Sequence, residues 1–453
     1  MPAMPGATLS RWTPAYFAAA VLFLLLAEAL MVAGFGYPAT GLRSPETLAL
    51  VHCVTLGWLS LLMLGALFQF VPVLVAGPIH SNELPLPTLV LILLGLGALV
   101  AGFLQLAGRL PFIPATVLAT TVLLGCGFGL ALWNLGRTLY AARPLNLPAR
   151  FVTIGLASVA ATVSFGIIFT LGFGGYARTL PLANLQAHGL PLHIIAGLAG
   201  WLTFTAIGVS HRLLAMFMLS PELDGPTTRW TLRLGCAALA IVIGAGAVVA
   251  SAGHDPGLVL LVAGLTGLGC LALYARDAVQ LYRKRLRPLI ELNSRMAGVA
   301  LGHLAGATVL LIVLVASGLL ARHAGALVFL VCFGWLSGLG LAMLYKIVAF
   351  VTWLECYGPV LGKTPTPRVQ DLVVEPRAAR WFWLYFAAVD AATLALLAGM
   401  PLVFRAAAFA MWAATAGIAF ELARTRRLVN VGGELRLPAG SRPPRLLSTF
   451  VPS

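Results

Sequence analysis

Eight histidines are scattered through a chain of 453 residues that is 60% apolar and only 9% charged. Five of them, His52, His188, His193, His303 and His323, fall inside or at the mouths of long apolar stretches. A titratable group in hydrocarbon is costly unless something binds it, so each is a candidate for a working role. Neutral imidazoles projecting at one depth from separate helices are what a haem iron or a copper ion requires. The plainer alternative for any one of them is a hydrogen bond to a neighbouring helix. Glu28, Lys346 and Asp390 lie in the same kind of stretch. They suit a proton path, a substrate site or a salt bridge that pins helices. His211, followed by Arg212, stands at the end of its stretch and is expected to meet headgroups. Met216 and Met218 nearby are read as lipid-facing rather than as a copper route.

The elements that must hold these groups are membrane helices. A soluble domain carries roughly a quarter charged residues, far more than this chain has. About 20 mostly apolar residues are needed to cross roughly 30 Å of hydrocarbon. Twelve such stretches occur, near 14–37, 47–77, 85–107, 112–137, 148–173, 183–218, 229–253, 256–282, 290–320, 323–358, 380–402 and 404–424. The fold class is therefore all-α and polytopic. Residues 1–13 form an N-terminal tail, 14–424 the membrane domain and 425–453 a C-terminal tail. The first stretch is too long for a signal-peptide core and lacks a small-residue cleavage pattern, which predicts a retained helix.

The net charge of +15 does not signal nucleic acid, because the basic residues sit in alternate loops rather than on one face. One side collects 23 of the 29 Lys and Arg, including Arg283, Lys284, Arg285 and Arg287. The other holds Arg43, Arg109, Arg178, Arg322 and Arg405, and Lys346 is left inside a span. Under the positive-inside rule this places both termini in the cytoplasm, across a bacterial inner membrane. The bilayer is thus the first expected partner. The six cysteines have no paired spacing, so neither a disulfide framework nor a zinc motif is readable, and they are expected to be packing residues.

The strongest organising signal is internal repetition. Residues 56–74 (LGWLSLLMLGALFQFVPVL), 199–217 (AGWLTFTAIGVSHRLLAMF) and 333–351 (FGWLSGLGLAMLYKIVAFV) align without gaps, although Trp occurs only ten times in the chain. Each has Gly-Trp-Leu, then Ser or Thr, and a small residue (Gly65, Gly208, Ala342) eight positions after the first Gly. The motifs fall in the second, sixth and tenth spans and run in the same direction. That predicts three pseudo-threefold-related groups of four helices, near 14–137, 148–282 and 290–424. The paired small residues, about two turns apart, would let helix backbones approach closely.

The repeat also sets depth. His52 lies five residues before its Gly57 and His193 seven before its Gly200, so the two share a layer on the periplasmic side, ~3 Å apart in depth. His188, twelve before Gly200, and His323, eleven before Gly334, make a second layer roughly 8 Å further out. His303 falls near the middle of the ninth span.

With these features the chain resembles the haem-copper oxidase subunit I superfamily, including its divergent NnrS-type members. The resemblance implies twelve helices, both termini inside and three arcs of four. His52, followed by Thr55-Leu56-Gly57-Trp58, matches the second-helix ligand of the low-spin haem. His188 or His193 matches the sixth-helix His that the family uses for copper. The sequence departs from the oxygen-reducing members elsewhere. Leu192 and Gly197 stand where a Tyr follows that His, the seventh span has no His, and the tenth offers Cys332, Tyr345 and Lys346 with only His323 at its mouth. The expectation is a redox-related protein without most of the oxygen-reducing centre. It would hold haem b through His52 with His193, His303 or His323, or one copper ion through His52, His193 and His188. Nitric oxide or respiratory electron transfer would be its context, with respiratory membrane subunits or a periplasmic electron donor as partners. A membrane transporter or metal-handling permease lined by His52, His193, Lys346 and Asp390 is the rival reading, and a cofactor-free accessory subunit a third.

Overall fold

The computed structural model describes residues 9–176 and 179–449, so that Arg178 and the first part of the N-terminal tail lie outside the described residues. Among the described residues, twelve helices are long and apolar enough to span a bilayer. They are α1 (Thr13–Ala33), α2 (Pro45–Val75), α3 (Pro85–Leu106), α4 (Ala115–Ala141), α5 (Leu147–Phe173), α6 (Leu190–Met218), α7 (Pro226–Ser251), α8 (Gly257–Arg283), α9 (Leu292–Ala316), α10 (Leu320–Val360), α11 (Glu375–Leu397) and α12 (Pro401–Arg426). No strand occurs among the described residues. Proline opens several of these helices, where its missing N–H costs nothing and its fixed φ is already helical. Asn146 caps α5 by accepting from the Ala149 amide, as a short polar side chain does at an N-terminus.

One boundary differs from the sequence reading in a way that matters. His188 ends a separate short helix, Leu180–His188, that is broken from α6 at Gly189, so it lies outside the span. Pro191 can begin a helix but not continue one, which explains the break. The C-terminal tail is tied back by hydrogen bonds. Arg426 Nε donates to Arg445 O at 2.8 Å, its Nη2 to Ser448 O at 3.0 Å, and the Thr449 amide to Arg11 O at 2.8 Å.

Contacts gather the helices into two compact units, one spanning Phe70–Leu289 and the other Ala7–Gln69 with Ile290–Ser453. In the first, α3 packs on α4, α4 on α5, α5 on α6 and α7 on α8. Phe165, Leu185, Leu192, Val242, Ala250 and Ala263 make one of its buried clusters. In the second, α1 packs on α2 and α12, α9 on α10, and α11 on α12.

The three repeated segments share an unforeseen backbone form. Each is π-helical, over Cys53–Ser60, Ala196–Phe204 and Leu330–Ser337. π-turns are rare and cluster where helices do more than pack. All three motif tryptophans are buried: Trp58, Trp201 and Trp335. The motif glycines permit the close approach expected of them. A Cβ at Gly57 would lie 2.5 Å from Phe23 of α1, and one at Gly65 2.6 Å from Tyr16 of the same helix. Gly200 and Gly208 meet Ser158 and Phe151 of α5 in the same manner. Gly334 meets His303 of α9. The pairs α1–α2, α5–α6 and α9–α10 are thus built alike.

Candidate functional site

Four intramembrane histidines are tethered in one way. Nδ1 of His52 lies 2.7 Å from Leu48 O, that of His193 3.0 Å from Thr162 O, that of His303 2.9 Å from Val299 O, and that of His211 2.8 Å from Ile207 O. A carbonyl only accepts, so in each ring Nδ1 carries the proton and donates. Nε2 is then the basic nitrogen of the neutral ring. Orientation by one backbone hydrogen bond with Nε2 turned outward is the usual support of a histidine that ligates a metal. Three of the four tethers run to the carbonyl one turn back on the same helix. His193 instead reaches across to α5.

What Nε2 faces separates the histidines. His303 Nε2 stands 3.0 Å from Asp390 Oδ1, and its ring stacks on Phe386 with centroids 5.1 Å apart. His211 Nε2 stands 3.3 Å from Asp277 Oδ2, which also accepts from Thr228 Oγ1 at 2.7 Å. With Nδ1–H already committed, one proton lies between each Nε2 and its carboxylate, and each pair is neutral as a whole. His303 and His211 are therefore occupied, and ligation by either would break an ion pair. His52 belongs to one compact unit and His193 to the other. His323 lies in the first turn of α10 and is half-buried.

One expectation is corrected by these positions. His211 does not meet headgroups. It is 4% exposed and Asp277 1%, and the hydroxyls of Ser210 and Tyr274 lie 2.7 Å apart on the same two helices. Asp390 lies within α11 with its side chain 60% exposed at the protein surface, against 11% for His303. Lys346 lies inside α10, twelve residues beyond Gly334, and its Nζ reaches Glu291 Oε2 at 2.5 Å, where Glu291 stands at the N-cap position of α9 and Gln370 donates to its other oxygen. Each repeat has a polar residue at that register, Gln69, Arg212 and Lys346.

Glu28 is buried as expected. Its Oε1 accepts from Thr415 Oγ1 of α12 at 2.9 Å. Two further ion pairs were not anticipated: Arg426 with the buried Glu355, and Arg377 with Glu421. The signal for Asp277 was present in the sequence. Tyr274 and Asp277, three residues apart, occupy one face of an otherwise apolar span.

No group of three or more His, Cys, Asp and Glu side chains that could hold a metal ion occurs among the described residues. His52, His188 and His193 are not gathered as such a set. The cysteines are free thiols, with Cys53, Cys270, Cys332 and Cys356 buried. The donor chemistry of imidazoles oriented through Nδ1, as at His52 and His193, suits an axial ligand, and ligation by His303 would cost its contact with Asp390. No protein-family model matches the chain, and no curated relative aligns with it.

Proposed function

We propose that this chain is a haem b-binding, redox-related protein of the bacterial inner membrane, built on an oxidase subunit I-like scaffold of three groups of four helices with both termini cytoplasmic. The observation that carries the reading is the shared construction of His52 and His193. Each stands just ahead of an equivalent π-helical Gly-Trp-Leu segment, five and seven residues before its Gly, with Nδ1 donating to a carbonyl. That tether selects the tautomer whose Nε2 binds iron. Bound haem would supply one-electron chemistry. The chain's own contribution is to fix the imidazoles and to surround them with an apolar, water-poor bundle. The lack of a histidine in α7 argues against oxygen reduction and leaves nitric oxide or respiratory electron transfer as the context. Respiratory subunits or a periplasmic donor would be the partners.

The test is a reduced-minus-oxidised visible spectrum of the detergent-purified protein with iron and copper counted on the same sample, run beside His52→Ala and His193→Ala. A haem b spectrum altered by either variant supports the reading. A colourless, metal-free protein overturns it.

A second reading, proton-coupled transport, is favoured by the pairs His211–Asp277 and His303–Asp390, each of which holds a transferable proton. Asp277→Asn would abolish substrate-dependent proton uptake in proteoliposomes under that reading. It would leave a haem spectrum unchanged under the first.

A further inference from the structure

Within the unit Phe70–Leu289, the outer face of α4 carries a furrow against α5 with a volume of about 340 Å³. It adjoins a hollow of about 260 Å³ that shares Leu132, Gly136 and Tyr140. The volume is within the ~300–1,000 Å³ of ordinary small-ligand sites. The furrow exists because its floor is small: Gly136 has no side chain, and Ala157 and Ala160 present only methyl groups. A Cβ added at Gly136 would meet nothing within 4 Å.

Two guanidiniums stand at the mouth. Arg143 lines the furrow and Arg137 the adjoining hollow. Each is held over an aromatic ring, Arg143 at 4.7 Å above Tyr140 and Arg137 at 5.5 Å above Trp133. Those rings are themselves 62% and 57% exposed, as aromatic side chains at a membrane interface are. The stretch from Leu84 to Pro221 contains no Asp or Glu, so neither helix that lines the furrow carries a carboxylate. An apolar trough ending in two oriented guanidiniums is complementary to one kind of molecule: an acyl chain ending in an anion.

We propose that this furrow is a binding site for an anionic phospholipid, the acyl chain lying over Gly136 and the phosphate held between Arg137 and Arg143. Each arginine near a membrane surface contributes about 1 kcal/mol to attraction of anionic lipid. Two together give a preference on the order of 30-fold over a zwitterionic lipid of the same chains. Arg233, stacked 5.0 Å over Trp230 on α7, is the natural control, since it repeats the cation–ring pair away from the furrow.

The experiment is native mass spectrometry of the delipidated protein titrated with dioleoyl phosphatidylglycerol or dioleoyl phosphatidylcholine. The expected result is one tightly retained phosphatidylglycerol, preferred on the order of 30-fold. The preference should be lost in R137Q/R143Q and kept in R233Q, and affinity for both lipids should fall in Gly136→Leu, which fills the trough. Equal retention of the two lipids, or a preference that survives the double arginine variant, would overturn the proposal. Displacement by inorganic phosphate with no effect of Gly136→Leu would also overturn it, by making the site one for a free anion. Size-exclusion elution of each variant separates a lost site from a lost fold, and Arg143→Gln alone serves if the double variant fails to fold.

Discussion

The indole Nε1 of Trp58 donates to the Oγ of Ser337 at 2.8 Å, although 279 residues separate them. Ser337 Oγ in turn donates to Cys332 O at 2.7 Å, five residues back, so the hydroxyl satisfies a carbonyl of the widened π-turn. The contact joins the Trp of the first repeat to the Ser of the third. It gives a physical reason for the hydroxyl residue two positions after the Trp. Ser337→Ala takes from the buried Trp58 N–H its acceptor, a loss of about 1–3 kcal/mol. Thermal unfolding in detergent should show a clear drop for Ser337→Ala and for Trp58→Phe, near-wild-type behaviour for Ser337→Thr, and less than the summed loss in the double variant.

The His211–Asp277–Thr228 network is closed on all sides, so removing its centre is costly. Asp277→Leu strands a histidine and a hydroxyl that the structure buries. A loss of roughly 3–5 kcal/mol is expected from breaking a buried charge pair on one side. Asp277→Asn, which keeps an acceptor for Thr228, should cost clearly less. Equal melting temperatures for the two variants would show that the network contributes nothing as a unit.

Arg426 holds the C-terminal segment. Besides its ion pair with Glu355 at 2.5 Å, it donates to Arg445 O, Ser448 O and Thr352 Oγ1. Arg426→Gln should leave the twelve spans in place while releasing residues 437–449 to protease. Limited trypsinolysis followed by mass analysis reads this directly. A wild-type cleavage pattern at Arg436 and Arg445 would refute the anchoring role.

Outside the spans, one loop is expected to respond to acid. The Arg368 guanidinium hydrogen-bonded to Asp371 holds that carboxyl below its ordinary value, against a smaller opposing effect of partial burial. A depressed folded-state pKa means that the contribution is complete above the ordinary carboxylate range and lost as pH falls through the folded value. The turn Val369–Leu372 should therefore be intact at neutral pH and loosen only below about pH 4. Trp353, whose Nε1 donates to Pro367 O at 2.6 Å beside this turn, is the reporter. Asp371→Asn should abolish the acid transition in its fluorescence, measured as the difference from Trp353→Phe.

Lys346 and Glu291 form an ion pair in which both side chains are mostly buried. Lys346→Met removes the cation that pairs with Glu291. A destabilisation of roughly 3–5 kcal/mol is expected from breaking a buried ion pair on one side. The double change Lys346→Met with Glu291→Gln should recover much of it, and failure to recover would mean that the pair is not coupled.

Twelve spans, their ends to within a few residues, the lopsided basic loops and the threefold Gly-Trp-Leu pattern all follow from the order of amino acids. Length and apolarity decide whether a segment leaves water, and those are local properties. The directions in which the spans face are not local. The most apolar windows of α8 and α10 are equally hydrophobic, yet 17% of one and 78% of the other is buried by protein. Lipid is as apolar as a helix interior, so no polar stripe marks the outer face. That is why His211 could be read as meeting headgroups when the protein buries it. The partners that decide each histidine's chemistry come from helices distant in sequence: Thr162 for His193, Asp277 for His211 and Asp390 for His303. Only the tertiary structure sets which carbonyl takes Nδ1 and which group meets Nε2, because a hydrogen bond depends on a few ångströms and a direction that no residue pattern along one helix fixes.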